Sequence, residues 1–193
     1  MGREFELKFR ASDAQFAALK ADFPNLHPIE METTYYDTPY RKLSPLRWTL
    51  RRRMENGKSV CTLKTPGENG GRGEWEVEAS SVMAAIPMLC KLGAPMDLMI
   101  HTVSGIIPVC GAKFTRLAGI LECDGCTVEL ALDAGAVTAG TRTAPIQEVE
   151  VECKSGSEEA AARFAAQLAE KYGLEPETTS KFARALKLAE GGL

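Results

Sequence analysis

Polar and apolar positions alternate with a period of two along much of this chain. In EFELKFR, Glu4, Glu6, Lys8 and Arg10 fall on one side of a strand and Phe5, Leu7 and Phe9 on the other, because successive strand side chains point to opposite faces. The same one-sidedness recurs downstream. Thr49, Arg51 and Arg53 oppose Trp48, Leu50 and Arg52; Thr62 and Lys64 oppose Cys61 and Leu63; Glu74, Glu76 and Glu78 oppose Trp75, Val77 and Ala79. Further on, Glu129 and Asp133 oppose Val128, Leu130 and Leu132, and Glu148, Glu150, Glu152 and Lys154 oppose Val149, Val151 and Cys153. Two architectures produce this pattern. An antiparallel sheet over helices turns its charged faces to water, whereas a closed barrel with a polar interior turns them to its lumen and covers the apolar faces with helices. Periodicity does not choose between them. Some of these strands are almost purely acidic and others almost purely basic, while a surface tuned for solubility intersperses the signs.

Period-3.6 segments sit between and after the strands. SDAQFAALKADFP has Ser12 as its cap, Gln15 to complete a capping box, an apolar stripe of Phe16, Leu19 and Phe23, and Pro24 as its stop. SSVMAAIPMLCKLG predicts an apolar helix interrupted at Pro87, and the stretch after it through PVCGA carries no clear periodicity. SEEAAARFAAQLAEKYGL, with Glu158 and Glu159 in its first turn and Gly173 at its end, and then TSKFARALKLAE, predict two final helices. Turns are expected at ENGK, at PGENGGRG and at Asp124-Gly125, where the dipeptide favours a type I′ hairpin.

Composition narrows the picture. A chain of 193 residues, 45% hydrophobic and 25% charged, suits a single domain over 1–193 with one sizeable core. A net charge of −3 gives no global case for nucleic acid, although Arg41, Lys42, Arg47, Arg51, Arg52 and Arg53 crowd thirteen positions and could hold an anion. No apolar run approaches the roughly 20 residues of a membrane span, and the N-terminus lacks a signal-peptide core, so a cytoplasmic protein is expected. Six scattered cysteines suit reduced thiols; Cys123 and Cys126 form a CxxC, but without a second pair or a nearby histidine the motif reads as a hairpin rather than a zinc site. His27 and His101 stand alone and suit structural roles.

The order of these segments resembles a known family. Glu4-Phe5-Glu6-Leu7-Lys8 is similar to the N-terminal ExExK signature of the CYTH superfamily, the triphosphate tunnel metalloenzymes. YYDTP at 35–39, LRRR at 50–53, TLK at 62–64, GEWEVE, FTR at 114–116, ELALDAG at 129–135, PIQEVEVECKSG and SKFARAL resemble its other blocks in the same order. The resemblance implies an α+β fold in which about eight antiparallel strands close into a barrel, a tunnel with a charged lumen and helices packed outside. It implies that Glu4, Glu6, Glu148 and Glu150 hold Mg²⁺ or Mn²⁺, for which carboxylate oxygens are suitable hard ligands. Lys8, Arg51, Arg53, Lys64, Arg116 and Lys181 would bind the phosphates of the substrate, and Glu4, Glu6 and Lys8 would form the catalytic group. Glu74, Glu76, Glu78, Glu129, Asp133 and Glu152 would also face the lumen in supporting roles. Some relatives place a second basic residue two positions after the arginine of FTR, where this chain has Ala118.

The implied reaction is metal-dependent hydrolysis of a phosphoanhydride. PIQEVEVECKSG and SKFARAL resemble bacterial proteins in which a CYTH domain precedes a helical CHAD domain, a group associated with inorganic triphosphatase activity. The expected partner is therefore a small triphosphate, tripolyphosphate first, or a longer polyphosphate. A class IV-type adenylate cyclase and a thiamine or nucleoside triphosphatase compete with that reading, as does, from another class, a module that binds polyphosphate without turnover. Oligomeric state, and whether a further domain follows residue 193, are not encoded in these motifs.

Overall fold

The computed structural model describes residues 5–67 and 72–191, so the expectations placed on Glu4 and on the tip of the PGENGGRG turn lie outside the described residues. The strands are β1 (Glu6–Arg10), β2 (His27–Asp37), β3 (Thr49–Glu55), β4 (Lys58–Pro66), β5 (Arg72–Glu78), β6 (Ile107–Cys123), β7 (Cys126–Ala139), β8 (Arg142–Gly156) and β9 (Glu175–Pro176). The helices are α1 (Asp13–Asp22), α2 (Val82–Lys91), α3 (Asp97–His101), α4 (Glu158–Tyr172) and α5 (Lys181–Ala189). The nine strands among the described residues belong to one sheet in the order β5-β4-β3-β2-β6-β7-β8-β1-β9, and every described pairing is antiparallel.

This topology corrects the expectation of a closed barrel. The sheet is open, with β5 at one edge and β9 at the other, and no described ladder joins them. The reason lies at β1. Its outer edge is taken by the chain at 175–177, through the β9 pairing and a 2.8 Å bond from the Glu177 N–H to the Lys8 carbonyl, and Pro176 has no N–H with which to extend the ladder. The sheet nevertheless curls, because residues from β1 through β8 line a single cavity on its inner face.

Apolar faces and helices divide as the alternation requires, with one exception. On the outer face, Val128, Leu130, Leu132, Val149 and Val151 pack under α1 and α4, whose Phe16, Leu19, Ala161 and Ala165 are buried with them. Leu50, Leu63 and Trp75 pack under α2 and α3 through Ile86, Leu89 and Leu98. The exception is α5. It lies across the inner face, burying Ala185 and Leu188 against Met31, Tyr35, Phe114, Val137 and Ile146, so the expectation that all helices pack outside is also corrected. Ring centroids of Tyr35 and Phe182 are 4.9 Å apart.

Local signals account for most element ends. Ser12 and Gln15 form the reciprocal capping box, with Ser12 N–H donating to Gln15 Oε1 at 2.7 Å. Gly173 closes α4 in the left-handed region, and Pro87 sits on the exposed face of α2 without ending it. Cys123 pairs with Cys126 across a two-residue turn, as a hairpin reading of the CxxC requires. The type I′ geometry is found elsewhere: both residues of Asn56-Gly57 have positive φ (46° and 86°), whereas at Asp124-Gly125 only the glycine does. The unreadable stretch after α2 holds α3 and a 3₁₀ turn at Thr102–Ser104.

Candidate functional site

Alternation on the curled sheet brings the charged faces together. The inner face encloses a cavity of about 860 Å³, into which β1 contributes Glu6 and Lys8, β3 Arg51 and Arg53, β4 Lys64, β6 Arg116, β8 Glu150 and α5 Lys181. Eight of the ten residues singled out from the sequence thus meet in one place. Glu148 lies just beneath, wholly buried, and is reached by Lys181 and Arg184; Glu4 is outside the described residues. Register places Lys8 opposite Glu150 and Glu6 opposite Glu152, which fixes how β1 faces β8.

The two walls differ in charge. On β6, β7, β8 and α5, three buried carboxylates (Asp133, Glu148, Glu150) pair with three cations. Arg116 donates to Asp133 through Nε at 2.8 Å and Nη2 at 2.7 Å, a bidentate pair, and also to Glu150. Lys181 Nζ stands 2.8 Å from Asp133, 2.5 Å from Glu148 and 2.6 Å from Glu150, while Arg184 donates to the other oxygen of Glu148. Burial alone would push the Glu150 carboxyl up, but the charges of Lys181 and Arg116 outweigh it and hold Glu150 far below the usual carboxylate range. For Lys181 and Arg116 the signs invert. Burial pulls each down, and the neighbouring carboxylates, Glu150 first and then Asp133, leave both raised.

The wall on β3 and β4 is basic and, like the other wall, where Arg184 Nε is buried without a hydrogen-bond partner, it is not fully satisfied. Arg51 is 4.0 Å and Lys64 3.2 Å from Glu74, and Arg53 pairs with Glu55. Yet the Nε atoms of both Arg51 and Arg53 are buried with no hydrogen-bond partner. Burial first, and the nearby Arg51 charge second, hold the Arg53 guanidinium below its ordinary value. Buried donors without acceptors are costly and are suited by an incoming anion.

The acidic trio fits a divalent cation. Asp133, Glu148 and Glu150 each direct a carboxylate oxygen so that all lie within 4.8 Å of one another, an all-oxygen donor set of the kind Mg²⁺ and Mn²⁺ prefer. In the structure the Lys181 ammonium stands between those oxygens. Asp133 and Arg184 were not ranked among the principal site residues from sequence. Alternation already put Asp133 on the face of Glu129, and Arg184 follows Lys181 by three residues in SKFARAL, one turn along the same helix face.

Comparison with known proteins bears on the family and the fold. The CYTH domain model matches residues 2–186. An inorganic triphosphatase of Haemophilus influenzae is 30% identical over 126 residues, which is 64% of this chain; the match covers 36% of that protein, so this chain corresponds to only part of it. Among solved structures, a Hippeastrum protein studied as a candidate adenylyl cyclase, and described as having a dominant triphosphatase activity, superposes with a TM-score of 0.66 at 19% identity over 100% of this chain and 97% of that one. A protein of Pyrococcus horikoshii superposes with a TM-score of 0.62 at 23% identity, covering 96% and 99%. With the family model spanning nearly the whole sequence, the chain belongs to the CYTH domain family.

Proposed function

We propose that this protein, as a single domain over 1–193, is a divalent-metal-dependent hydrolase that cleaves the terminal phosphoanhydride of a triphosphate, with inorganic tripolyphosphate as first substrate. The observation that carries the reading is the pairing of two walls in one cavity, buried arginine Nε donors without acceptors facing a buried trio of carboxylates. The identity of the H. influenzae relative supports the choice of substrate.

In this reading Arg51, Arg53 and Lys64 bind phosphate oxygens, the arginines through planar two-point donation and the lysine as a point charge. Asp133, Glu148 and Glu150, joined by Glu6, would hold Mg²⁺ or Mn²⁺. When bound, such a cation supplies charge neutralisation at the phosphoryl oxygens and a water of lowered pKa. Lys181, Arg116 and Lys8 then turn from carboxylates to phosphates as the anion enters, which keeps the cavity's charge balanced. Glu6 and Lys8, 3.9 Å apart on β1, orient the terminal phosphoryl group and the attacking water for in-line displacement.

The test uses purified protein with Mg²⁺ or Mn²⁺ and, separately, tripolyphosphate, thiamine triphosphate or ATP. Phosphate released from tripolyphosphate, and lost in Glu6→Ala, is the expected result. Pyrophosphate and cyclic AMP from ATP would establish the cyclase reading instead, and tight tripolyphosphate binding with no product under either metal would leave a binding module.

A further inference from the structure

Each carboxylate of the buried trio divides its two oxygens in the same way. One oxygen faces the Lys181 ammonium, which stands 2.8 Å from Asp133 Oδ2, 2.5 Å from Glu148 Oε2 and 2.6 Å from Glu150 Oε1. An arginine holds the other. Arg116 donates through Nε to Asp133 Oδ1 at 2.8 Å and through Nη2 to Glu150 Oε2, and Arg184 donates through Nη2 to Glu148 Oε1. Lys181 and Arg184 lie three residues apart on α5 and share a helix face, so one helix holds both oxygens of Glu148.

The two arginines are not equivalent. Arg116 serves two carboxylates, whereas the Arg184 side chain donates to one, Glu148, among the described carboxylates, and leaves its own Nε buried without a hydrogen-bond partner. Glu148 is wholly buried, and among the described residues its carboxylate accepts from Lys181 and Arg184 alone. Fold stability gives little reason for such a contact, since a buried ion pair is often replaceable by apolar groups without loss and a buried donor without an acceptor is unfavourable. Its use is seen once Lys181 turns toward an anion. Asp133 and Glu150 then still share Arg116, and Glu148 keeps Arg184 as its one hydrogen-bonding partner.

We propose that Arg184 is a positioning residue for the divalent-cation site: it occupies Glu148 Oε1, so that Glu148 offers Oε2 alone alongside one oxygen each from Asp133 and Glu150. This rests on the reading of those three carboxylates as metal ligands given above. Octahedral Mg²⁺ and Mn²⁺ keep several waters and take few carboxylate oxygens, which single-oxygen donors suit. A partner behind the ligand fixes its orientation.

Mn²⁺ titration of the full chain without substrate, followed by electron paramagnetic resonance well below each variant's melting temperature, tests this. Arg184→Gln is expected to raise the Kd for Mn²⁺ about tenfold or more, as when a group that orients a metal ligand is removed. Arg184→Lys, which returns a cation to the same place, is expected to recover most of that affinity, a rescue that a purely structural role would not give. In a Glu148→Gln background, which keeps an acceptor for Arg184 but removes the charge, adding Arg184→Gln is expected to change Kd by less than about threefold, because two residues that act through one ligand are not additive. That background also carries the test if Arg184→Gln alone does not fold. An unchanged Kd in Arg184→Gln, or an equal loss in both backgrounds, overturns the proposal and leaves the metal site standing. A wild type that binds no Mn²⁺ overturns the metal reading itself, and this proposal with it.

Discussion

The Lys181 ammonium on α5 lies 2.6 Å from Glu150 of β8 and within 2.8 Å of Asp133 on β7, so a helix that covers the inner face of the sheet places its own cation among three buried carboxylates. Covering and neutralisation are therefore one interaction. Tyr35 against Phe182 and the burial of Ala185 fix the helix, and the helix fixes the lysine.

That relationship predicts competition between Lys181 and a divalent metal. Lys181→Met removes the cation and leaves Asp133, Glu148 and Glu150 buried and mutually repelling, which should cost about 3–5 kcal/mol in metal-free buffer. Mn²⁺ should restore much of the loss. The melting temperature of the variant is expected to rise more on Mn²⁺ addition than that of the wild type, and Mn²⁺ titration followed by electron paramagnetic resonance should show tighter binding in the variant. Equal metal responses would mean that the trio is a structural ion-pair cluster and not a metal site.

The same cluster sets a pH profile for the metal-free protein. Glu150 has a folded pKa far below its unfolded value, so its contribution is present above the ordinary carboxylate range and is lost as pH falls below it. Lys181, raised in the fold, contributes below the ordinary lysine value near 10.4 and loses that contribution only as pH climbs through its higher folded value. Melting temperature should therefore plateau between roughly pH 5 and pH 10 and fall on the acid side. Glu150→Gln should lie lower on the plateau but show a shallower acid limb; parallel acid limbs in the two proteins would count against this assignment.

How much of this was legible in the sequence follows from what period-two alternation encodes. It identifies which residues of one strand share a face, as Glu6 with Lys8 and Arg51 with Arg53, whereas the expectation that Glu6, Lys8, Arg51, Arg53, Lys64 and Glu150 meet in one place came from the family resemblance. It does not encode whether a sheet closes. Closure depends on what occupies the free edge of β1, and the two-residue strand at Glu175–Pro176 is too short to leave a periodic signal. Nor does helical periodicity say which face of the sheet a helix covers. The stripe of Phe182, Ala185 and Leu188 reads the same on either side, and only the position of Lys181 and Arg184 beside it, pointing at carboxylates, distinguishes the inner face.

Arg53 separates anion binding from stability. Its guanidinium is largely buried, with Nε wholly so and without an acceptor, and is crowded by Arg51, so that beyond the pair with Glu55 the fold gains little from its charge. Arg53→Gln should leave the melting temperature unchanged or slightly higher. If the cavity binds a triphosphate, the KM for tripolyphosphate should rise about tenfold or more, the equivalent of one lost charge-assisted hydrogen-bond pair at about 1.5–3 kcal/mol. Differential scanning fluorimetry with tripolyphosphate under EDTA checks the binding half without turnover. A large drop in stability with unaltered anion binding would make Arg53 a structural residue.

Asp37 makes the opposite prediction although it sits in the YYDTP block that carries part of the family resemblance. Its carboxylate is buried and accepts from the backbone N–H groups of Thr38 at 2.7 Å, Leu43 at 2.9 Å and Ser44 at 3.0 Å, and from the Ser44 hydroxyl. It thereby closes the loop from 37 to 44 and seats Leu43, which is wholly buried, in the cluster under α2. Neither oxygen is turned to the cavity. Asp37→Ala leaves at least two buried N–H groups without an acceptor and should cost about 2–4 kcal/mol. Asp37→Asn, which keeps one acceptor oxygen, should cost less. The KM for tripolyphosphate, measured well below the lowered melting temperature, should stay within about twofold of the wild type, because uniform substrate binding is untouched. A selective rise in KM at undiminished stability would transfer Asp37 from the scaffold to the substrate site.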